Sequence, residues 1–436
     1  MAWAVVVSVL VMTILSLLRV NVIIAILAAG LTAGLMNGET LISSIELFVG
    51  GMGGQANVAL SYILLGAFAV AISYSGITSL LVNGLLNVLK DMKTLLVIVI
   101  ALIASLSQNA IPVHIAFIPI LIPPLLRLFD RMKLDRRAVA AALTFGLKAP
   151  YVMIPLGFGL IFHKTIRDAL ADQGVELGVY SIAQSLLLPG AGMILGLLVA
   201  IFISYRKPRE PKAVTQENEL DALQPEQKVD RFTIKHFFTL VAIVVTLLIQ
   251  VFLSNLILAA LAGLILMFVF RVVPYKNGDK VVNDGIAMMG FIAFVLLSAS
   301  GYANVLTATN SVSDLVEKSS GFIGDQQALI AFVLLLVGLV VTMGIGSSFA
   351  TVPILAALFV PICLEAGFSP MAIAALVGTA GALGDAGSPA SDSTLGPTSG
   401  LNADGRHNHI WDTCVPTFLH YNIPLFIFGW IAAIML

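Results

Sequence analysis

The run from Gly384 to Thr394 (Gly384-Asp385-Ala386-Gly387-Ser388-Pro389-Ala390-Ser391-Asp392-Ser393-Thr394) sets two carboxylates, several hydroxyls and a Gly/Pro helix break inside an otherwise apolar stretch. Ionisable groups are costly at membrane depth and mark function there. Backbone unwound by Gly and Pro frees carbonyls. With the oxygens of Asp385, Asp392, Ser388, Ser391 and Ser393, these can replace the hydration shell of a small coupling cation. The first half carries a counterpart, Phe145-Gly146-Leu147-Lys148-Ala149-Pro150-Tyr151, in which Lys148 is the sole base. An ammonium at depth needs a counter-charge: Asp385, Asp392 or a substrate carboxylate, unless the lysine snorkels or serves a structural pair. Two further polar breaks, Ser107-Gln108-Asn109 and Ser347-Ser348 with Thr351, lie at apparent hairpin tips. Half-helix ends there can hold a cation through carbonyls or an anion through N–H groups. His114 and His420 are candidates for a proton relay, because imidazole titrates near neutrality. His407 and His409 lack a third ligand at metal-site spacing. No cofactor is expected, only a coupling cation.

These residues sit in a chain of 436 residues, 59% hydrophobic and 11% charged, with a mean hydropathy of +1.01. So apolar a composition calls for lipid rather than water around it. Spans of roughly 20 apolar residues are predicted near 2–18, 20–37, 57–76, 138–162, 183–205, 235–254, 255–272, 290–308, 370–399 and 411–435. Segments 94–126 and 326–364 are each broken by polar or glycine residues and are expected to be re-entrant hairpins, since irregular backbone at depth is tolerated only where it lines a cavity or is buried in protein. Residues 206–234 form a polar linker. The expected fold is an all-α polytopic membrane protein of ten transmembrane helices plus two re-entrant hairpins. It falls into two repeats, 1–205 (hairpin 94–126, broken helix 138–162) and 235–436 (hairpin 326–364, broken helix 370–399).

The halves resemble each other. Asn21 begins an apolar run like that after Asn255, Gly38-Glu39 matches Gly278-Asp279, and Pro112 and Pro150 match Pro353 and Pro389. Five spans per half is an odd number, so the second copy must enter the membrane from the opposite side, as in many secondary transporters. With both termini outside, most of the 23 Lys and Arg residues fall on the cytoplasmic side. Lys164, Arg167 and Lys318 stay outside and Lys148 within, in keeping with the positive-inside bias. The segments near 77–90 and 310–320 are expected to lie along the interface as scaffold arms. A net charge of −1 speaks against a nucleic-acid partner. No phosphate-binding Gly-x4-Gly-Lys run, zinc-protease motif or nucleophile elbow is present. An enzyme is therefore not expected, and an ion gradient is the remaining drive. A channel is the distant alternative, disfavoured because inverted repeats suit moving halves.

The runs Ser107-Gln108-Asn109-Ala110-Ile111-Pro112-Val113-His114, Ala149-Pro150-Tyr151 and 384–392 resemble the NhaC-type Na⁺/H⁺ antiporter family of the ion transporter superfamily. They are closest to the branch that includes proposed histidine and other amino-acid permeases. The resemblance implies a bacterial inner-membrane protein working by alternating access, with scaffold bundles that pair as a homodimer and two mobile bundles made of hairpins and broken helices. It implies sodium sites at the hairpin tips and unwound stretches, with Asp385, Asp392, Asn109 and Ser348 as sodium candidates and 148–150 as the first unwound stretch. It leaves open whether the cargo is a small ion in antiport or a small zwitterion, such as an amino acid, in Na⁺- or H⁺-coupled uptake.

Overall fold

The computed structural model describes residues 3–77, 92–109, 117–156, 158–210, 232–253, 255–311, 314–315 and 326–436. Among these there are helices and no strands. The first part of the chain supplies α1 (Trp3–Leu17), α2 (Val22–Met36), α3 (Leu41–Met52), α4 (Ala56–Tyr74), α5 (Lys93–Asn109), α6 (Phe117–Arg131), α7 (Arg136–Met153), α8 (Phe158–Ala171), α9 (Val179–Ser185) and α10 (Leu187–Val199). The second supplies α11 (Ile234–Leu253), α12 (Leu256–Val269), α13 (Gly278–Ala308), α14 (Gln327–Ile345), α15 (Ser348–Glu365), α16 (Pro370–Ala382), α17 (Asp392–Leu401) and a last span, α18, over His409–Met435. Six of the helical stretches are long and apolar enough to cross a membrane, or seven if α7 and α8, bent by 48° at their break, count as one. Large apolar side chains such as Leu10, Ile161, Ile203 and Phe252 stand exposed around the bundle. In water such a surface would be an aggregation liability, whereas hydrocarbon accepts it. The protein is a membrane protein.

Helix boundaries follow local chemistry. Asn21 and Asn255 occupy equivalent N-caps: the Asn21 side chain accepts from the N–H of Ile23 at 2.9 Å and that of Asn255 from Leu258 at 3.0 Å, each satisfying an orphan donor. The element after Gly38-Glu39 is α3, running through one 3₁₀ turn into α4, and the element beginning at Gly278 is the single 31-residue α13.

These two long elements, one from each half of the chain, pack closely on each other, and small residues let them do so. A Cβ on Gly285 would stand 2.3 Å from the backbone nitrogen of Ala67, and one on Gly66 would meet the Gly285 carbonyl at 2.7 Å. Hydrogen bonds then lock the crossing: Ser300 Oγ donates to Gly51 O and Asn304 Nδ2 to Leu47 O, both at 2.7 Å. In lipid there is little hydrophobic gain between helices, so close backbone approach and interhelical hydrogen bonds carry the association.

The remaining helices pack around the breaks. Arm α5 lies on α7, with Gly146 against Ala104 and Ser105, and α14 lies on α16, with Gly338 against Ala380. The second pieces exchange partners across the halves: α8 packs on α15 and α17 on α6.

One expectation needs correction. Lys148 to Pro150 are not unwound but lie inside α7. The break comes after Met153, where Ile154 is extended (φ −116°, ψ 117°) because Pro155 follows it and excludes helical geometry. Pro150 removes only one bond near the helix end, so the helix survives it. Helices α14 and α15, of 19 and 18 residues, are each long enough to cross, so a short arm does not set this hairpin apart. The first arm, α5, is a helix of 17 residues that ends on the polar Ser107-Gln108-Asn109. Segments 78–90 and 316–320, expected as interfacial arms, lie outside the described residues.

Gly285→Leu should force α4 and α13 apart and destabilise the protein by at least about 1–3 kcal/mol, the scale of overpacking. The readout is a lower unfolding temperature of the purified protein in detergent. Gly50→Ala, at a helix position where a Cβ meets nothing within 4 Å, should cause no loss.

Candidate functional site

Between α16 and α17 the chain leaves helical geometry over 383–391. Gly384 (φ +80°) and Gly387 (φ +112°) adopt left-handed backbone. A Cβ at Gly384 would meet Leu339 O at 2.6 Å, and one at Gly387 the backbone nitrogen of Phe418 at 2.9 Å. Only glycine satisfies both demands. The freed backbone is paired again from outside. Asn422 of α18 accepts from Gly384 N–H at 3.0 Å and donates to Ala386 O at 2.5 Å, supplying one acceptor and one donor as a helix turn would. Ser388 Oγ donates to Met343 O (2.9 Å) and accepts from Ala390 N–H (3.1 Å). Thr394 Oγ1 reaches Ser388 O (2.5 Å) and Ser391 O (2.9 Å). Ser391 caps α17 by accepting from Ser393 N–H at 3.1 Å.

This stretch aims Asp385, 1% exposed, at Lys148, 6% exposed, and the two form an ion pair. The hydrogen bonds around them have one consistent sense. Ser348 and Ser391 each donate to the Asp385 carboxylate, and Ser393 Oγ lies 3.3 Å from the same oxygen as Ser391. Because the Ser348 proton goes to the carboxylate, Tyr151 must donate to Ser348 Oγ at 2.8 Å, while Lys148 donates to the Tyr151 hydroxyl at 3.3 Å. The closed ring Lys148–Tyr151–Ser348–Asp385 thus joins α7 of the first half to the hairpin break and the unwound stretch of the second. Thr144 adds a bond from α7 to Ser393 O at 3.1 Å.

Asp392 is placed differently. It is the first residue of α17, half-buried, where the helix N-terminus favours its charge. It lies within electrostatic reach of Lys148 and of the buried hydroxyl of Tyr62 on α4. Lys148 therefore stands near two carboxylates and touches one. A cation at Asp385 would have to displace the ammonium.

The other candidates divide. Ser348 belongs to the ring. Ser347 is the extended residue before α15, following Gly346 in left-handed geometry (φ +73°), and Thr351 only bonds back to Ser347 O at 2.6 Å. His420 does not meet the cluster: its Nδ1 donates to Pro416 O (2.7 Å) and its Nε2 accepts from Ser204 (2.8 Å), which satisfies a neutral ring locally. The side chains of Ser107, Gln108 and Asn109, and all of His114, lie outside the described residues. Among the described residues no group of three or more His, Cys, Asp or Glu could hold a metal ion.

Sequence reasoning assigned no role to Tyr151, Asn422 and His409. Tyr151 follows Lys148 at i+3, which puts both on one helix face and could have marked it. His409 is buried, its Nε2 donating to Pro389 O at 3.0 Å and its Nδ1 2.8 Å from Thr398 Oγ1. Nothing in local spacing announces either that contact or the one from Asn422.

A model of the Na⁺/H⁺ antiporter family matches residues 142–430, and one of a Na⁺-H⁺ antiporter family matches 3–89. The chain is 48% identical to the "Putative amino acid transporter YuiF" of Bacillus subtilis, over 99% of this chain and 100% of that one. It is 49% identical to an uncharacterized membrane protein of Haemophilus influenzae, over 99% of each. Among solved structures it is distantly similar to the YdaH transporter of Alcanivorax borkumensis (TM-score 0.43, 16% identity, 89% of this chain and 86% of that one). A similar likeness holds to MtrF of Neisseria gonorrhoeae (0.40, 15%, 90% and 84%).

Breaking the pair from one side leaves a buried charge without compensation. Lys148→Met should destabilise the protein by about 3–5 kcal/mol. Adding Asp385→Asn should recover part of that loss. Thermal unfolding of the two single variants and the double variant reads the coupling, and strictly additive losses would show that the ion pair is not the coupling element.

Proposed function

The chain belongs to the Na⁺/H⁺ antiporter family, and from that premise we propose that it is a cation-coupled secondary transporter exchanging Na⁺ for H⁺ across the bacterial inner membrane by alternating access. The observation that carries this is the buried Lys148–Asp385 pair at the edge of unwound backbone, with Asp392 close by. In it the ammonium occupies the carboxylate that an incoming cation would use. Na⁺ arriving at Asp385 adds a charge where charge is expensive, and release of one proton from Lys148 restores the balance. Exchange is then obligatory, because either ion without the other leaves an unpaired charge at depth. Asp392 offers the second carboxylate, partly accessible, through which the ion reaches the site.

Two inverted repeats give this site its alternating access. The equivalent caps at Asn21 and Asn255, and the reciprocal packing of α8 on α15 and α17 on α6, support a two-fold relation between the halves. The positive-inside bias puts the linker in the cytoplasm and both termini outside.

A second reading, an Na⁺- or H⁺-coupled amino-acid permease, is favoured by the name of the Bacillus subtilis relative. In it Lys148 meets the substrate carboxylate while Asp385 and Asp392 hold the coupling ion.

Proteoliposomes separate the two. Proton flux driven by a Na⁺ gradient with no organic substrate present is the result expected for the exchanger. Labelled amino-acid uptake that requires the gradient, without substrate-free exchange, supports the permease. In either case Asp392→Asn should abolish transport while the protein stays folded and monodisperse, and full activity of that variant removes Asp392 from the ion path.

A further inference from the structure

A second cleft, of about 660 Å³, opens on the side of the molecule where the linker begins. Its walls are the α1–α2 turn of the first half and the α17–α18 loop of the second, and its lining includes Ser16, Arg19, Asn402, Arg406, His407 and Asn408. No Asp or Glu lines it among the described residues.

The polar groups present donors rather than acceptors. Asn402 Oδ1 is taken by the N–H of His407 at 3.0 Å and Asn408 Oδ1 by the N–H of Trp411 at 2.8 Å. Both amides are thereby oriented, and what each has left to offer is its NH₂ group. Two guanidiniums supply fork-shaped donors from opposite walls, Arg19 from the first half and Arg406 from the second. Arg406 also pairs with Asp130 at 3.3 Å, which anchors its guanidinium and meets part of its charge.

One further observation singles the cleft out. The hydroxyl of Ser16, a residue 2% exposed, lines it and has no hydrogen-bond partner among the described residues, and a buried polar group of this kind calls for one. Arg19 itself sits at φ +65°, a left-handed position closing α1 where glycine would be unstrained.

We propose that this cleft binds a phosphate-bearing anion, held between Arg19 and Arg406 with Ser16 and the Asn402 and Asn408 amides completing its shell. Guanidinium pairs suit a tetrahedral oxyanion with several acceptor oxygens better than a point charge. The same chemistry is offered by the headgroup of an anionic phospholipid in the cytoplasmic leaflet and by free phosphate. A bound anion would tie the first half to the second on this side. The assignment is independent of which ions the Asp385 site carries.

The test uses the full chain purified in a neutral detergent. Its unfolding temperature is followed against potassium phosphate, with potassium chloride of matched ionic strength as reference, and separately against phosphatidylglycerol with phosphatidylcholine as reference. A saturable rise is expected in at least one arm. A rise with phosphate marks a soluble-anion site, and a rise with phosphatidylglycerol alone marks a lipid headgroup site. Arg19→Gln should weaken the midpoint by at least about tenfold, the loss of a charge-assisted contact. Arg271→Gln, the same loss of charge outside the cleft, should leave it unchanged. Arg19→Gly, which relieves the left-handed backbone, should fold at least as well as the parent and still lose the response. No saturable rise in either arm, or an undiminished rise in both Arg19 variants, overturns the proposal.

Discussion

A carboxylate buried in low dielectric has to be neutralised, and the surroundings of Asp385 meet that demand. Lys148 supplies the charge, while Ser348, Ser391 and Ser393 surround the oxygens. Each serine depends on irregular backbone. Ser348 lies beyond the left-handed Gly346, and Ser391 and Ser393 follow the turns at Gly384 and Gly387. The unwound stretch thus brings Asp385, Ser391 and Ser393 to the point that Lys148 of α7 and Ser348 of α15 also reach. The glycines meet the steric demand and Asn422 the hydrogen-bonding demand that unwinding creates.

Elsewhere the molecule is held by a different physics. Around α3, α4 and α13 there are no ion pairs among the described residues, only small residues at the crossings and side-chain bonds to carbonyls such as those of Ser300 and Asn304. Such an interface is stiff because it is close-packed. A rigid frame beside a site whose contacts are polar and exchangeable is the division of labour that a moving transporter needs.

Much of this was legible in the sequence. Two carboxylates and a Gly/Pro break in an apolar run mark 384–394, where the chain is unwound over 383–391, and a lone lysine at depth requires a partner, which proves to be Asp385. The repeat of Asn21 at Asn255 is matched by two helix caps. Other features were harder to read. Pro150 looked like the helix breaker, yet the extended Ile154 before Pro155 is where α7 ends, a matter of which proline lies in the helix and which lies beyond it. His420 suggested a relay because imidazoles titrate, while its ring bonds locally to Pro416 and Ser204 and does not meet the Asp385 cluster. The clamp from Asn422 is a contact across 38 positions, and no local pattern encodes it.

The exchange of partners between halves, α8 lying on α15 and α17 on α6, bears on what the polar linker means. Residues 206–234 look like a boundary, and by composition they are one. Energetically they divide nothing, because each half leaves the other to cover its own broken helix. A chain severed there would yield two fragments that complete each other, so the smallest unit able to fold is the pair, and the linker's contribution is to keep the two at high effective concentration.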